Sequence, residues 1–415
     1  MIYYWYMKLP LVTMLKIIIG MEGGSLNREL YDYDHSLDVT ASAFVQQRKK
    51  ILPEMFEYIF REFNCACSDD KTYRGYHLLA VDGSGVSIAT NPDAPTYVEN
   101  GSLAGYNCFH LNALYDLCNK TYVDAIIEPR PLYSEVRSAR DMILRQKFDK
   151  AILIGDRGYG ALNLMEHINR KDGLDYLIRV KEGWITETAN LPIQEFDTDI
   201  SFEIRTTQKN IDKQLYKAGK AKYIAEPSKF GKKKSSQVWG FESPCSMTIR
   251  IVRFKISEDT YETIATSLDR FQFPISEIKK LYHMRWGIET SFRELKYAVG
   301  LVNFHAKKED YVLQEIWARL IMYNFCERIT LSVVIEQKDC RKWAYQVNFT
   351  HAIHVCKNYY RHHSSDPPPD VLNLTDFRAA REPRCHIAAY LNDTERRRRL
   401  FLIQECPSFM SRAIM

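Results

Sequence analysis

From residue 76 the hydrophobic period of the chain changes, and the order of the segments after it leaves few folds open. YHLLAVDGSGVSIAT is an apolar run of β character, read as a strand that ends at Asp82 in a glycine-rich turn. NCFHLNALYDLCN and TYVDAIIEP read as two more strands joined by a short polar turn, a hairpin. YSEVRSARDMILRQ has helical spacing, and KAILIGDRGYG is a strand that delivers Asp156 at its carboxyl end. ALNLMEHINRK is the next helix and LDYLIRVKEG a further strand. Three strands, helix, strand, helix, strand is the order of an α/β domain built on a mixed sheet. Ligands of such sheets sit beyond the carboxyl ends of strands, where both aspartates fall.

The flanking segments divide the rest. Residues 1–72 read as a helical N-terminal domain, with Ser25 and Thr40 as N-caps. Its stretch TASAFVQQRKK presents Gln46, Gln47, Arg48, Lys49 and Lys50. That fits a DNA-reading helical pair, and it fits equally an ordinary helix with a solvated basic face. Residues 73–183 hold the first part of the α/β core. Residues 184–265 break the alternation with the short strand-like runs TDISFEIRT, KAKYIAE, SQVWGFE and SMTIRIVRFKI and the basic loop KFGKKKSS, a β-rich insertion. Helices resume over 266–335 as the second part of the core. The C-terminal region, 336–415, passes through the breaker-rich SSDPPPD to the run Arg396–Arg399, read as a solvated face.

A length of 415 residues with 46% hydrophobic and 13% aromatic content excludes a disordered chain and allows two or three domains. The net charge of +5 permits nucleic-acid binding without requiring it. Ten irregularly spaced cysteines fit free thiols in a reducing cytoplasm. Cys65-Ala-Cys67 is too short for a zinc pair, and the looser cluster His351, His354, Cys356, His362 and His363 is better read as polar residues near a helix end. The apolar N-terminus is interrupted by Lys8, Pro10 and Lys16, so neither a signal peptide nor a membrane span is expected there; its aromatic run at residues 3–6 reads either as a shortened or alternative start or as a buried first turn.

LYHMRWGIETSFRELKYAVG, residues 281–300, reads as helix throughout. Leu281, Met284, Ile288, Phe292, Leu295 and Val299 form its apolar stripe. Tyr282, Arg285, Glu289 and Lys296 gather beside it in a sector of roughly 60°, with Arg293 close by. An ion-pair ladder explains Arg285 with Glu289 but leaves Tyr282 and Lys296 unexplained. Carboxylates from three separated segments, Asp82, Asp156 and Glu289, are a usual way to hold magnesium, with positions left open for phosphate and water. Two such ions about 3.5–4 Å apart support in-line phosphoryl transfer. Singly, each carboxylate is also explained as a turn-former, a cap or a surface ion pair.

At these residues the chain resembles the bacterial DDE transposases of the insertion sequence four family. The spacing Tyr282-x2-Arg285-x3-Glu289-x6-Lys296 matches their Y-R-E-K signature, and VDGSGV, GDRGY and NFHAKKED followed by QEIWARLIMYNF resemble the surrounding blocks. The likeness runs from about residue 8 to 335. It implies an RNase H-like catalytic core interrupted by the β-rich insertion. It further implies two Mg2+ ions on Asp82, Asp156 and Glu289, with Mn2+ able to substitute. Tyr282, Arg285, Lys296 and Arg293 would then hold DNA phosphates, and Trp286 would contact a base or the DNA end. The implied partners are double-stranded DNA, as the terminal inverted repeats of the element and as target, and a second copy in a synaptic homodimer. The N-terminal helices would bind the DNA ends, in the bacterial cytoplasm at the nucleoid. Rival readings are a silent copy that only binds DNA, a metal-dependent nuclease of the same fold, and a phosphatase with Asp82 as nucleophile. The last is disfavoured by Ser84 where a second aspartate is usual.

Overall fold

The computed structural model describes residues 9–331 apart from 36, 38, 68–70, 102, 185–191, 193, 226–238 and 258–259, together with 345–362 and 378–379. The basic loop at 229–236, SSDPPPD and the arginine run at 396–399 lie outside the described residues.

The strands are β1 (His77–Ile88), β2 (Tyr97–Asn100), β3 (Leu103–Asp116), β4 (Thr121–Pro129), β5 (Ala151–Gly155), β6 (Leu174–Val180), β7 (Phe196–Arg205), β8 (Ala221–Tyr223), β9 (Cys245–Ser257) and β10 (Thr260–Thr266). They form one sheet in the order β2-β3-β1-β5-β6-β10-β9-β7-β8, with β4 also paired to β3. β1 pairs antiparallel with β3 and parallel with β5, and β5 pairs parallel with β6. The five strands β4-β3-β1-β5-β6 are therefore a mixed-sheet core of the RNase H-like kind. The parallel crossovers are made by the helices Glu135–Arg145 and Leu162–Asn169.

Side-chain alternation then assigns faces. Leu79, Val81 and Leu153 pack under Met142, Ile143, Leu164 and Met165 of the crossover helices. Leu78, Ile152 and Ile154 face the opposite way, against Ile278, Leu281 and Tyr282. Ala80 joins them on that face, with Ile288, Phe292 and Leu295. A period of two continues this parity to Asp82 and Asp156. Both aspartates thus belong to the face covered by the helix that carries Glu289.

Three expectations change. β1 does not end at Asp82: Gly83, Ser84 and Gly85 remain paired with Asn112, Leu111 and His110 of β3, so the strand continues to Ile88. The strand that stops there is its parallel neighbour β5. The 281–300 segment is not one uniform helix. It runs as Ile275–Met284 and Trp286–Glu294, tightens at Arg285 where Ile288 N donates to the Arg285 carbonyl, and ends in a π-helical turn, Leu295–Val299. The insertion is β-rich as read, with an added helix Asn210–Lys217, but β10 pairs with β6 and so extends the central sheet.

The N-terminal helices Leu11–Gly20, Leu26–Tyr33, Ala41–Arg48 and Pro53–Ala66 share a core with the long helix Glu309–Leu331 and the helix Phe349–His362. Ser25 and Thr40 are N-caps, accepting from the backbone of Arg28 and Ala43. Phe44, Phe56, Phe60 and Phe63 are fully buried there, each contributing about 1.5–3 kcal/mol. Arg48 joins them. Its side chain is 2% exposed and reaches Glu315 at 2.9 Å, Gln314 at 2.7 Å and the Tyr311 carbonyl at 2.7 Å. As a DNA contact Arg48 is therefore corrected: a guanidinium spent on a buried carboxylate is not on the surface. Gln46 and Lys49 remain exposed.

Candidate active site

The parallel register sets Val81 against Gly155, so the next residues of the two strands, Asp82 and Asp156, lie side by side. Asp82 is held by its own strand: the Gly83 N–H donates to its Oδ1 at 2.8 Å. Asp156 caps the 3-10 turn Arg157–Tyr159, accepting from the Arg157 N–H at 2.6 Å. Glu289 stands on the overlying helix, where Arg285, one turn earlier, donates to its Oε1 at 2.7 Å. Arg285 also reaches within 4.0 Å of Asp82 Oδ2. It is 3% exposed, and its guanidinium lies over the rings of Tyr282 and Trp286 at 5.6 and 5.2 Å.

Burial pushes Asp82 up to about 6; the Gly83 N–H and Arg285 oppose the rise, and the charges of Glu289 and Glu135 add to it. Burial likewise raises Tyr282, with Arg285 opposing and Asp156 assisting. The hydroxyls of Tyr282 and Tyr159 and the Nε of Arg285 are buried with no hydrogen-bond partner. Orphaned donors of this kind cost free energy.

The structure brings Asp82, Asp156, Glu289, Tyr282 and Arg285 together. Trp286, 53% exposed, flanks them. Lys296 is partly buried on the π turn, two turns past Glu289. Its charge is felt by the Cys108 thiol, beside that of Arg130. Arg293 is on the surface. Sequence reasoning missed Arg179, which lies 3.9 Å from Asp156 and 3.2 Å from Glu262, and Glu135 with its partner His110. Arg179 had a signal, its place near the carboxyl end of the strand after the second aspartate. Glu135 had none beyond following an N-cap serine.

The donors are hard carboxylate oxygens, which suits a divalent cation. Among the described residues no three acidic, imidazole or thiol groups stand close enough to form a ready cage. The positive charges among the carboxylates are those of Arg285 and, beside Asp156, Arg179. The site fits a hard cation by its chemistry and by its excess of acid. His351 and His354 line a shallow cavity with Asn348 and Thr350, while Cys356 points into the core and His363 lies outside the described residues. No described helix is long and apolar enough to cross a membrane.

Comparison with known proteins gives the family. The family described as the transposase DDE domain matches residues 73–325. The chain is 22% identical over 366 residues to the transposase InsG for insertion sequence element IS4 of Escherichia coli (strain K12), spanning 83% of this chain and 74% of that protein. A weaker likeness, TM-score 0.40 at 10% identity, covers 93% of this chain and 81% of a chain in the cryo-EM structure of a piggyBac transposase synaptic complex with hairpin DNA.

Proposed function

The chain belongs to the DDE-domain transposase family, and from that premise we propose that it cuts DNA at the terminal inverted repeats of an insertion sequence and joins the freed ends to target DNA. The observation that carries this reading is the register of β1 on β5, which sets Asp82 beside Asp156 on the face where Arg285 holds Glu289. Asp82, Asp156 and Glu289 would hold two magnesium ions, whose chemistry is to activate an attacking oxygen and stabilise a leaving one.

The remaining side chains have tasks of their own. Arg285 offers several N–H donors, of which one bond goes to Glu289, leaving others for a phosphate oxygen. Tyr282 carries an unengaged hydroxyl in the same space, and Arg179 adds a second cation beside Asp156. Trp286 presents an indole on which an unpaired base stacks. Lys296, on the π turn, meets the DNA backbone. A second copy supplies the paired complex in which two ends are processed together, in the cytoplasm at the nucleoid.

The test uses a duplex carrying the repeats that flank the gene, with Mg2+ and with Mn2+. Asp82→Asn, Asp156→Asn and Glu289→Gln are each expected to lower cleavage at least about a thousandfold, on the order of 4 kcal/mol in the barrier, while end binding persists. Cleavage by any of the three at the wild-type rate would sink the assignment.

A further inference from the structure

The helix that follows β4 begins with a carboxylate that the three-acid site does not account for. Glu135 Oε1 lies 3.2 Å from His110 Nε2. A Cβ built on Gly83 would stand 3.0 Å from Glu135 Oε1, and one built on Gly158 3.1 Å from its Oε2. Gly83 follows Asp82, and Gly158 is two residues past Asp156. The Glu135 carboxylate therefore sits between the backbones that carry the two aspartates, in space that only glycines leave open. Its charge reaches Asp82, and the buried ring of Tyr159 lies in the field of Glu135, Asp82 and Asp156 together.

This carboxylate is clamped. Arg130 Nη1 lies 2.9 Å from His110 Nδ1. Arginine has only donors, so Nδ1 accepts, and the proton of the neutral ring is on Nε2, facing Glu135. Tyr133 closes the clamp, its ring 4.0 Å from that of His110 and 4.8 Å from the Arg130 guanidinium carbon. His110 is 2% exposed, and its Nε2 has no hydrogen-bond partner, being off the line of a good bond to Glu135. A buried ring N–H with no acceptor costs free energy, which a group placed between it and the carboxylate would recover. The misfit is that of an arrangement short of one component between the carboxylates.

We infer that Glu135, held by His110 and Arg130, is a fourth acidic partner of the divalent-cation site, acting on the cation through its bound water. Magnesium keeps several waters when bound by one or two carboxylates, and those waters need acceptors. Glu135 is then a positioning residue: it orients the water shell between Asp82 and Asp156 without joining the reacting atoms. The inference rests on the metal-site reading above.

Mn2+ binding to the full-length chain, measured by calorimetry without DNA, separates the two. Asp82→Asn is expected to remove most of the binding, and Glu135→Gln to weaken it about tenfold, the scale typical of groups that orient a metal's ligands. Glu135→Asp keeps the charge but withdraws it by one methylene, and a partial recovery toward wild type is expected. If Asp82→Asn leaves Mn2+ binding intact, the metal reading falls and Glu135 with it. If Asp82→Asn abolishes binding while Glu135→Gln stays within about twofold of wild type, only the role of Glu135 is overturned. Should Glu135→Gln fail to fold, Glu135→Asp carries the test: weakened Mn2+ binding supports the inference, and wild-type binding overturns it.

Discussion

Around Glu315 and around Asp82 the fold gathers carboxylates and arginines from segments distant in the chain, yet it meets their charges differently. At Glu315, Arg48 arrives from the N-terminal helices at 2.9 Å, and His305 bridges to Glu29. Glu29 in turn takes Arg361 at 2.9 Å, and Arg319 donates to the carbonyls of Met21 and Glu22. Each carboxylate there has a cation against it. At Asp82, the acids Asp82, Asp156, Glu289 and Glu135 outnumber the cations Arg285 and Arg179 that touch them, and tyrosine hydroxyls are left unpaired. Charge balance locks one cluster as a brace between the N-terminal helices and the core. Excess acid leaves the other open to cationic ligands.

The largest effect should come from breaking the brace. Glu315→Gln leaves the Arg48 guanidinium buried without its counter-charge, and a loss of about 3–5 kcal/mol in unfolding free energy is expected. Chemical denaturation of the full chain measures it. A loss below about 1 kcal/mol would erase the distinction drawn between the clusters, because the brace would then be worth no more than a surface pair.

The second effect is a pH dependence that the brace has in both directions. Burial disfavours the charged form of His305, but Glu29 and Glu315 overcome it and raise the group to about 9. Its contribution is whole below the ordinary histidine value of 6.5 and is lost as pH climbs through about 9. Burial would raise Glu29, but His305, the backbone N–H groups of Glu22 and Gly24, and Arg361 lower it to about 2. Its contribution is present above 4.5 and is lost as pH falls through about 2. The brace is therefore strongest between 4.5 and 6.5. On the order of 2 kcal/mol should disappear on the alkaline side. Urea midpoints across pH should show this slope in wild type and a flatter one in His305→Gln.

The sequence made the two clusters legible to different degrees, for a physical reason. Asp82 and Asp156 could be found because strand period and chain order place them at one sheet position, and Glu289 because a helix wheel set it among cations. The brace was invisible: nothing in VQQRKK tells which basic residue turns inward, since burial of Arg48 is decided by Gln314 and Glu315 on a helix more than two hundred residues away. Glu135 was hidden likewise, because its place depends on two glycines and a histidine on other elements. The π turn after Glu294 was hidden too, because a wheel of 3.6 residues per turn cannot anticipate it.

A smaller effect, opposite in sign, is expected at Asp82. Its carboxyl is raised to about 6, so the protonated form favours folding, and that contribution is lost as pH rises through about 6. Above that value the ionised group opposes the fold. With its side chain 26% exposed, solvent screening reduces the effect. Asp82→Asn should then gain about 1 kcal/mol at pH 8 and nothing at pH 4. Melts in the presence of a chelator check it. A loss at pH 8 would mean that Asp82 belongs with the brace residues after all.

The smallest effect separates the residues of one basic run. Arg48 faces Glu315, while Gln46 and Lys49 on the same stretch face solvent. If the exposed pair meets the ends of the element, Lys49→Ala should weaken end binding about threefold and lower the logarithmic salt slope by about 0.9, as one lost phosphate contact does. Stability should stay within about 0.5 kcal/mol of wild type. Gln46→Ala should weaken binding without changing the slope, since an amide releases no counterion. Fluorescence anisotropy on an end duplex at two salt concentrations reads both quantities. An unchanged affinity and slope for Lys49→Ala would make the run a solvated face whose one structural residue is Arg48, leaving end recognition to the surface around Trp286 and Lys296.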